Sequence, residues 1–225
     1  MQSLSARPRP RLDGVTPVPA GEALFENLRS SLVRFSRLVQ SLEGEAHTGY
    51  LSLLTDEAQG LVFFREGRRT EAVHEGRAVS RGKHALEAIA EDVEAGKGVL
   101  DAVALAGPVV DALPGLWLGR PVYQELRASW VNIGGLLGFL QQRGTRGSVL
   151  VRAAHATGVI LLLGSDEVWA YTSSRTEPVH GAGVVADLCS DPQASIEVRS
   201  AALVAPAGGD DGIASLRLEL ASVSE

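Results

Sequence analysis

The chain repeats one arrangement of residues after an interval of 98 positions. A helix-like stretch carries apolar residues spaced by 4, 3, 4 and 3 positions, namely Leu28, Leu32, Phe35, Val39 and Leu42. The same spacing returns 98 positions later at Leu126, Trp130, Ile133, Leu137 and Leu140. Gly49 and Gly60 have counterparts in Gly147 and Gly158. Because a repeat of this length corresponds to a whole folding unit, the sequence predicts two similar units.

Both copies predict the same series of elements. The first predicts a helix, three strands, a second helix and a further strand over 22–42, 50–54, 61–65, 70–74, 83–95 and 99–105. The second predicts the same series over 123–141, 148–153, 159–163, 168–171, 183–189 and 195–204. Short strands separated by glycine-bearing turns are typical of an antiparallel meander. The predicted fold class is α+β, each unit having an amphipathic helix, an antiparallel three-strand meander, a second helix and a further strand.

The predicted domain boundaries follow the proline-rich stretches. Residues 1–21 contain four prolines, several arginines and few large apolar residues, so we expect a flexible, partly polyproline-like tail. The first unit covers 22–107, and a proline-bearing linker covers 108–122. The second unit covers 123–225. It ends in a predicted β-hairpin, in which the turn GGDDG joins the last strand to Ile213–Ala221.

Charge and cysteine content exclude several classes of protein. The net charge is −6, with +2 on the first 21 residues and −4 on each unit, which disfavours nucleic-acid binding. Cys189 is the single cysteine, so no intrachain disulfide can form. The longest aliphatic run, Val159–Leu163, is too short to span a bilayer. With no secretory signal and no expected membrane partner, the expected location is the cytoplasm.

Two glycine-containing stretches resemble nucleotide-binding motifs and fail in detail. In residues 76–84, five residues separate the two glycines where a phosphate-binding loop has four. His84 also replaces the serine or threonine that would hold Mg²⁺. A helix start is favoured there, although a helix N-terminus with Lys83 could attract an anion. Residues 181–186 match G-x-G-x-x-A, but a polar, proline-broken segment precedes them where a strand is required.

No catalytic or metal-binding arrangement is present. The histidines are dispersed without metal-ligand spacing and are interpreted as exposed loop residues: His47, His74, His84, His155 and His180. No G-x-S-x-G motif occurs, so a hydrolase serine is unsupported. The sequence therefore predicts no catalytic residue, no metal site, no cofactor and no enzyme.

Two features are candidates for partner binding. Basic residues concentrate in one predicted hairpin and the following helix start, at Arg65, Arg68, Arg69, Arg77, Arg81 and Lys83. Three glutamates among them reduce the local charge to about +3, so the set is either ordinary charged surface or a docking patch for an acidic partner. Trp117 in the linker either fills a cleft between the units or binds a partner, since exposed tryptophan is favoured at binding hot spots.

The first copy resembles the PATAN-type domain of bacterial signalling proteins. The resemblance rests on Thr48-Gly49-Tyr50-Leu51, on GLVFFREGRRTEAVHEG from Gly60 and on RGKHALEAIAEDVEAGKG from Arg81. It covers residues 25–105, and more weakly residues 123–200, where Gly164-Ser165 replaces Glu66-Gly67 and the second helix is shorter. The resemblance implies a non-catalytic interaction module in intracellular signalling, with no catalytic residues to carry over.

The leading hypothesis is therefore a non-catalytic protein–protein interaction or scaffold module in bacterial signalling. Its partners are unidentified proteins, and a homodimer stays open. One alternative is a small-molecule or nucleotide sensor that uses a cleft between the units. Another is a sequence-independent nucleic-acid binder that uses the basic tail and hairpin.

Overall fold

The computed structural model of the chain describes residues 15–164 and 167–201. This part divides into two compact units, the first ending at Val110 and the second beginning at Asp111 and also including residues 17–21. The division falls inside the segment predicted as a linker. That segment contains two short helices and the start of a strand.

The first unit contains a six-stranded antiparallel sheet and two helices. Its elements are β1 (Glu22–Arg29), α1 (Phe35–Gly44), β2 (Gly49–Leu54), β3 (Gln59–Arg65), β4 (Arg68–Glu75), β5 (Val79–Arg81), α2 (Gly82–Glu94) and β6 (Val99–Ala104). The strand order is β1-β6-β2-β3-β4-β5, and neighbouring strands are antiparallel. The predicted meander is β2-β3-β4, with β5 as an added short strand.

The second unit contains a sheet of the same strand order, β7-β12-β8-β9-β10-β11. The helices α3 (Gly107–Ala112) and α4 (Gly115–Leu118) precede it in the chain. Its elements are β7 (Arg120–Arg127), α5 (Ile133–Gln142), β8 (Arg146–Arg152), β9 (Thr157–Leu163), β10 (Val168–Thr172), β11 (Val179–His180), α6 (Gly183–Ala186) and β12 (Ser195–Ser200). The predicted α+β fold class is confirmed.

The two units have the same order of strands, and several of their elements lie 98 residues apart. The bounds of β7, α5 and β9 lie 98 positions beyond those of β1, α1 and β3. Backbone irregularities follow the same interval. Asn27 and Glu125 have φ angles of 56° and 57°, and Ala46 and Gly144 have φ angles of 52° and 61°. Because positive φ is uncommon outside glycine, its recurrence at matching positions supports a duplicated unit.

The repeated glycines at the starts of β2 and β8 lie against backbone. A Cβ atom on Gly49 would collide with the carbonyl oxygen of Val103, and a Cβ on Gly147 would collide with that of Arg199. Both carbonyls belong to the neighbouring strand, β6 or β12. These glycines therefore repeat because the central strands approach each other too closely for a side chain.

The helix predicted over 22–42 is wrong in its first half. Those residues form β1, which pairs with β6, and α1 begins only at Phe35. The pairing of β1 with β6 is irregular around Asn27, where φ is 56°, the register shifts and the N–H donates to Asp101 Oδ1 at 2.6 Å. The predicted helix over 123–141 is wrong in the same way, since β7 ends at Arg127 and α5 begins six residues later.

The apolar spacing therefore spans a strand, a turn and a helix in each unit. Leu42 and Leu140, which lie on α1 and α5, are 2% and 0% exposed. Leu32 and Trp130 lie in the turn between strand and helix and are 76% and 70% exposed. Pairing with a neighbouring strand overrides the helical spacing of the sequence.

One face of each sheet forms a core with the helices. In the first unit, α1 and α2 contribute apolar residues that pack on β2, β3, β4 and β6, with a buried set of Phe35, Val39, Leu42, Leu51, Leu53, Val62, Phe64, Ala72, Ala85, Ile89, Val93, Leu100 and Ala102. In the second unit, α5 and the segment from α6 to Leu188 pack against β7, β8, β9, β10 and β12. Burial of these helix faces is the main stabilising contribution.

The segment predicted as a flexible tail over 1–21 is in part well packed. Its first fourteen residues lie outside the described part of the chain. Thr16 is buried, and its N–H and Oγ1 donate to the Glu75 carboxylate at 3.2 and 3.1 Å. The carbonyl of Pro17 accepts a hydrogen bond from Tyr171 Oη at 2.9 Å. Residues 16 and 17 of the predicted tail therefore have defined hydrogen-bond partners, and its flexibility stays a prediction.

The predicted C-terminal hairpin stays a prediction, because its turn and its second strand, residues 213–221, lie outside the described residues. The described part of its first strand is β12, which lies between β7 and β8 and is hydrogen-bonded to both.

Candidate interaction surface

The arginines predicted as a docking patch lie in separate places. Arg65, Arg68 and Arg69 surround the turn between β3 and β4. Arg77 follows the other end of β4, about 23 Å away at about 3.3 Å per residue. Arg81 lies on β5. The fold therefore does not bring the predicted patch together as one surface.

Acidic neighbours also reduce the charge of the predicted patch. Arg69 Nε lies 2.6 Å from Glu43 Oε1, and Arg65 Nη1 lies 3.6 Å from Glu66 Oε1. These ion pairs are partly exposed and contribute little to stability. They do lower the attraction of this region for an anionic polymer.

The helix start in residues 76–84 already holds a carboxylate. Glu71 Oε1 accepts hydrogen bonds from the N–H groups of Gly82 and Ala72 at 3.0 and 2.9 Å. Lys83 Nζ lies 3.5 Å from Glu87 Oε1. A carboxylate at the start of α2 takes the place that an external anion would need. The stretch is therefore a helix start, and no phosphate-binding arrangement forms.

Trp117 is buried. Trp117 is 7% exposed, and its backbone carbonyl accepts a hydrogen bond from Arg199 Nη1 at 3.1 Å. A buried indole contributes to packing and is not presented to a partner. This burial favours a packing role for Trp117, and its predicted role in partner binding stays a prediction.

A different tryptophan is presented to solvent. Trp130 is 70% exposed at the end of a 3-10 turn formed by Ala128–Trp130. The turn is fixed because Ala128 is buried and its N–H donates to the Ala194 carbonyl at 2.9 Å. The Arg127 guanidinium lies 5.7 Å from the centroid of the Trp130 ring, within cation–π range.

The first unit presents an apolar side chain at the same position. Leu32 is 76% exposed at the end of the matching turn, Ser30–Leu32. Ser30 fixes this turn, because its Oγ donates to the Lys97 carbonyl at 2.9 Å. A large apolar side chain is therefore exposed at the same position of both units.

The helix after Trp130 has an uncharged outer face. α1 exposes polar residues, whereas α5 has glycine at the three matching positions, Gly134, Gly135 and Gly138. A Cβ atom on Gly138 would meet nothing within 4 Å, so local packing does not require glycine there. Each glycine destabilises a helix by about 1 kcal/mol relative to alanine. We define Arg127, Trp130 and the outer face of α5 as the Trp130 surface.

One cluster of titratable residues joins β4 to the C-terminal end of α2. His74 Nε2 lies 3.3 Å from Asp92 Oδ2, and Lys97 Nζ donates to Asp92 Oδ1 at 2.7 Å. Burial alone would raise the pKa of Asp92, but the hydrogen bonds from Lys97 and His74 outweigh it and lower the pKa. The cluster ties a strand to a helix end.

We expect Asp92→Asn to destabilise the first unit by about 1 kcal/mol at pH 7. The pKa of Asp92 in the folded protein lies below its value in the unfolded chain, which is about 4. The carboxylate therefore stabilises the fold above that unfolded value, and the contribution is lost as the pH falls through the folded pKa. Urea unfolding gives the free energy of unfolding of both proteins at pH 7 and pH 3. The difference between the native protein and the variant should be smaller at pH 3. An equal deficit at both pH values would contradict this explanation.

His47 is not an exposed loop residue, as the sequence interpretation expected. It is 6% exposed between the end of α1 and the start of β2, and its ring meets Phe64 edge-on at a centroid distance of 5.7 Å. Its Nε2 atom has no hydrogen-bond partner. Burial lowers the pKa of His47, and the backbone of Tyr50 and Val103 offsets only part of that effect.

We expect His47→Phe to reduce the loss of stability between pH 7 and pH 5. The pKa of His47 in the folded protein lies below its value in the unfolded chain, which is about 6.5. In the native protein, stability is complete above that unfolded value and declines as the pH falls, because the unfolded chain takes up a proton first. Denaturant midpoints of both proteins across this range provide the measurement. If the midpoints of both proteins changed with pH in parallel, His47 would not be the cause of the pH dependence of stability.

Other reactive groups in the described residues form no site. No three His, Cys, Asp or Glu side chains lie close enough there to hold a metal ion. Burial raises the pKa of the Cys189 thiol, which makes it a poor nucleophile. Within the described ranges, no helix is both long and apolar enough to cross a bilayer.

No match was found among protein-family models or curated protein sequences. The sequence interpretation missed the Trp130 surface because Trp130 was assigned to the buried stripe of a helix. The usable signal was the set of three glycines immediately after Trp130, which is out of place on an ordinary surface helix.

Proposed function

We propose that this protein is a non-catalytic protein–protein interaction module that binds its partner through the Trp130 surface. The 70% exposure of Trp130 carries the proposal. Arg127, which lies over the indole ring, supports it because tryptophan and arginine are enriched among the residues that dominate binding free energy. The uncharged face of α5 extends the surface without adding a charge to desolvate.

The separation of the arginines argues for a protein partner and against a nucleic acid. A nucleic-acid footprint needs several cations aligned along one groove or face. Here Arg65, Arg68 and Arg69 lie at one end of β4, and Arg77 lies beyond the other end. Glu43 and Glu66 accompany the first group.

The sequence resemblance to PATAN-type domains supports a role in bacterial intracellular signalling. In that setting the protein is cytoplasmic and acts as an adaptor, with its two units serving as a scaffold. The second unit is the main binding unit, because Trp130 offers more apolar area than Leu32 and because the outer face of α1 is polar. The assignment to bacterial signalling rests on the sequence motifs around Gly49 and Gly60.

The test compares capture of partners by tagged full-length protein and by Trp130→Ala in lysate of the source cells. Truncation of a central tryptophan is expected to weaken binding by about 2 kcal/mol or more, which is at least about tenfold. Val79→Ala is the matched control, because Val79 is also exposed, at 50%, but lies on β5 of the first unit.

We expect the native chain and Val79→Ala to retain the same partner proteins. Trp130→Ala should lose them. Identical captured sets for all three baits would reject the Trp130 surface. Charge reversal at Arg65, Arg68 and Arg69 provides the competing test. If that variant loses its partners while Trp130→Ala keeps them, the basic residues form the binding site instead.

A further inference from the structure

Arg127 places a positive charge beside Trp130 without a carboxylate to neutralise it. Its guanidinium lies 5.7 Å from the centroid of the Trp130 ring, and its Nη1 donates to Gln193 Oε1 at 3.1 Å. That oxygen belongs to a neutral amide. Arg69 and Arg152, in contrast, each pair with a glutamate, at 2.6 and 3.0 Å. Among the described residues Arg127 forms no ion pair, so its charge remains available to a partner.

The chain around Trp130 is more basic than the matching part of the first unit. Residues 126–146 contain three arginines and no aspartate or glutamate, whereas residues 28–48 contain three arginines together with Glu43 and Glu45. The net charges of the two stretches are therefore +3 and +1. The N-cap of α5, Asn132, is neutral, so the partial positive charge at the start of this helix adds to that of Arg127.

The acidic side chain of the neighbouring turn is engaged within its own segment. Asp191 follows the 3-10 turn Asp187–Ser190, which lies next to the turn Ala128–Trp130. Its Oδ1 accepts a hydrogen bond from the Gln193 N–H at 2.9 Å. Asp191 therefore holds Gln193 in place, and Gln193 in turn holds Arg127 beside the indole ring.

The distance between Arg127 and Trp130 sets the spacing of the groups that can bind both. The N–H donors of a guanidinium lie in its plane, so Arg127 can contact a ring and pair with a carboxylate at the same time. A carboxylate oxygen that accepts from Arg127 lies within about 10 Å of the ring centre, because the hydrogen bond adds about 3 Å. Side chains three or four positions apart on a helix have Cβ atoms about 5–6 Å apart. An acidic and an apolar residue at such a spacing can therefore reach Arg127 and Trp130 together.

We infer that the partner of the Trp130 surface is a protein segment in which an acidic residue lies within about four positions of a large apolar residue. The acidic side chain pairs with Arg127, and the apolar side chain packs on Trp130 and the uncharged outer face of α5. A carboxylate uses the remaining guanidinium donors, whereas a basic segment would be repelled. This partner chemistry rests on the proposed function, because it concerns the same surface.

Peptide selection on the immobilised full-length protein tests this chemistry. The probe is a displayed library of random peptides of about 12 residues, which is long enough for about three helical turns. Selections run in parallel on the native protein, on Arg127→Glu and on Arg29→Glu. Arg29 is the matched control, because it is exposed at the end of β1, the position that corresponds to Arg127. Arg127→Gln replaces Arg127→Glu if circular dichroism shows that charge reversal disturbs the fold.

We expect peptides selected on the native protein and on Arg29→Glu to carry an acidic residue within about four positions of a large apolar one. Selection on Arg127→Glu should replace that acidic residue by lysine or arginine, and Arg127→Gln should lose the acidic preference. In titration calorimetry, a selected acidic peptide should bind Arg127→Gln and Trp130→Ala at least about tenfold more weakly than the native protein. The inference is overturned if the native protein selects no peptide, if its peptides lack the acidic residue, or if Arg127→Glu selects the same peptides.

Two other occupants of the surface are distinguished by separate measurements. If sedimentation shows a dimer for the native protein and a monomer for Trp130→Ala, a second copy is the occupant. If vesicles of phosphatidylcholine and phosphatidylserine retain the native protein but not Trp130→Ala, a lipid surface is the occupant. Either result would overturn the acidic segment. Loss of lysate partners from Trp130→Ala, without an acidic preference among selected peptides, would leave the proposed function standing and reject only this partner chemistry.

Discussion

Replacing Gly147 by alanine is expected to destabilise the second unit by about 3 kcal/mol. The new Cβ atom would collide with the carbonyl oxygen of Arg199 on the neighbouring strand β12. Neither strand can move aside, because β12 is paired on both edges and β8 is paired with β9. Gly49→Ala is expected to have the same effect in the first unit, through the carbonyl of Val103. Urea unfolding followed by circular dichroism measures both changes.

Gly138→Ala is the control for these two substitutions. It adds the same atom where nothing lies within 4 Å, and alanine favours a helix over glycine by about 1 kcal/mol. We expect this variant to be as stable as the native protein or more stable. If all three variants lost the same amount, the close approach of the strands would not be the cause.

Leu140→Ala is expected to destabilise the protein by about 3 kcal/mol, whereas Trp130→Ala should change stability by no more than about 0.5 kcal/mol. Leu140 is 0% exposed on the inner face of α5, and its truncation leaves a cavity. Trp130, although larger, is 70% exposed and leaves none. Leu42→Ala and Leu32→Ala repeat the contrast in the first unit, where the exposures are 2% and 76%.

This comparison also decides between the helix expected from the apolar spacing and the strand–turn–helix of the structure. In one long helix, Trp130 and Leu140 would share a buried face and both truncations would be costly. Midpoints of thermal or denaturant unfolding separate the two cases. A large loss for Trp130→Ala would contradict the exposed turn.

Most strands could be predicted from the sequence because glycine-bearing turns separate short apolar runs. β3 and β4 lie within two residues of their predicted bounds, and so do β6 and β9. The interval of 98 residues was also informative, since three elements keep it without a shift of a single residue. These features depend on local sequence, which is why they were predictable.

The first strand of each unit could not be predicted, because its partner lies far away in the sequence. Glu22 pairs with Ala104, and Arg29 pairs with Val99. Long-range pairing decides the conformation of such a segment, while a window of neighbouring residues shows only the spacing of Leu28, Leu32 and Phe35. That spacing fits a helix equally well.

The positions of the candidate site residues in the fold could not be predicted for the same reason. Arg65 and Arg77 are close in sequence but lie beyond opposite ends of β4. Trp117 lies between prolines, which indicated a surface linker, yet the fold buries it at 7% exposure. Trp130 was assigned to the core because it belongs to the apolar residues whose spacing predicts one buried helix face. Burial is a property of the assembled sheet, so only the assembled structure could separate these residues.

The irregular residues Asn27 and Glu125 have a consequence for the behaviour of the protein at high concentration. Both interrupt β1 and β7, the outermost strands of their sheets among the described residues. A regular outer strand is a template on which further copies can add and grow into a fibril, and a bulge removes that template. Because the irregularity occurs in the outer strand of both units, we expect each sheet to resist aggregation at that edge.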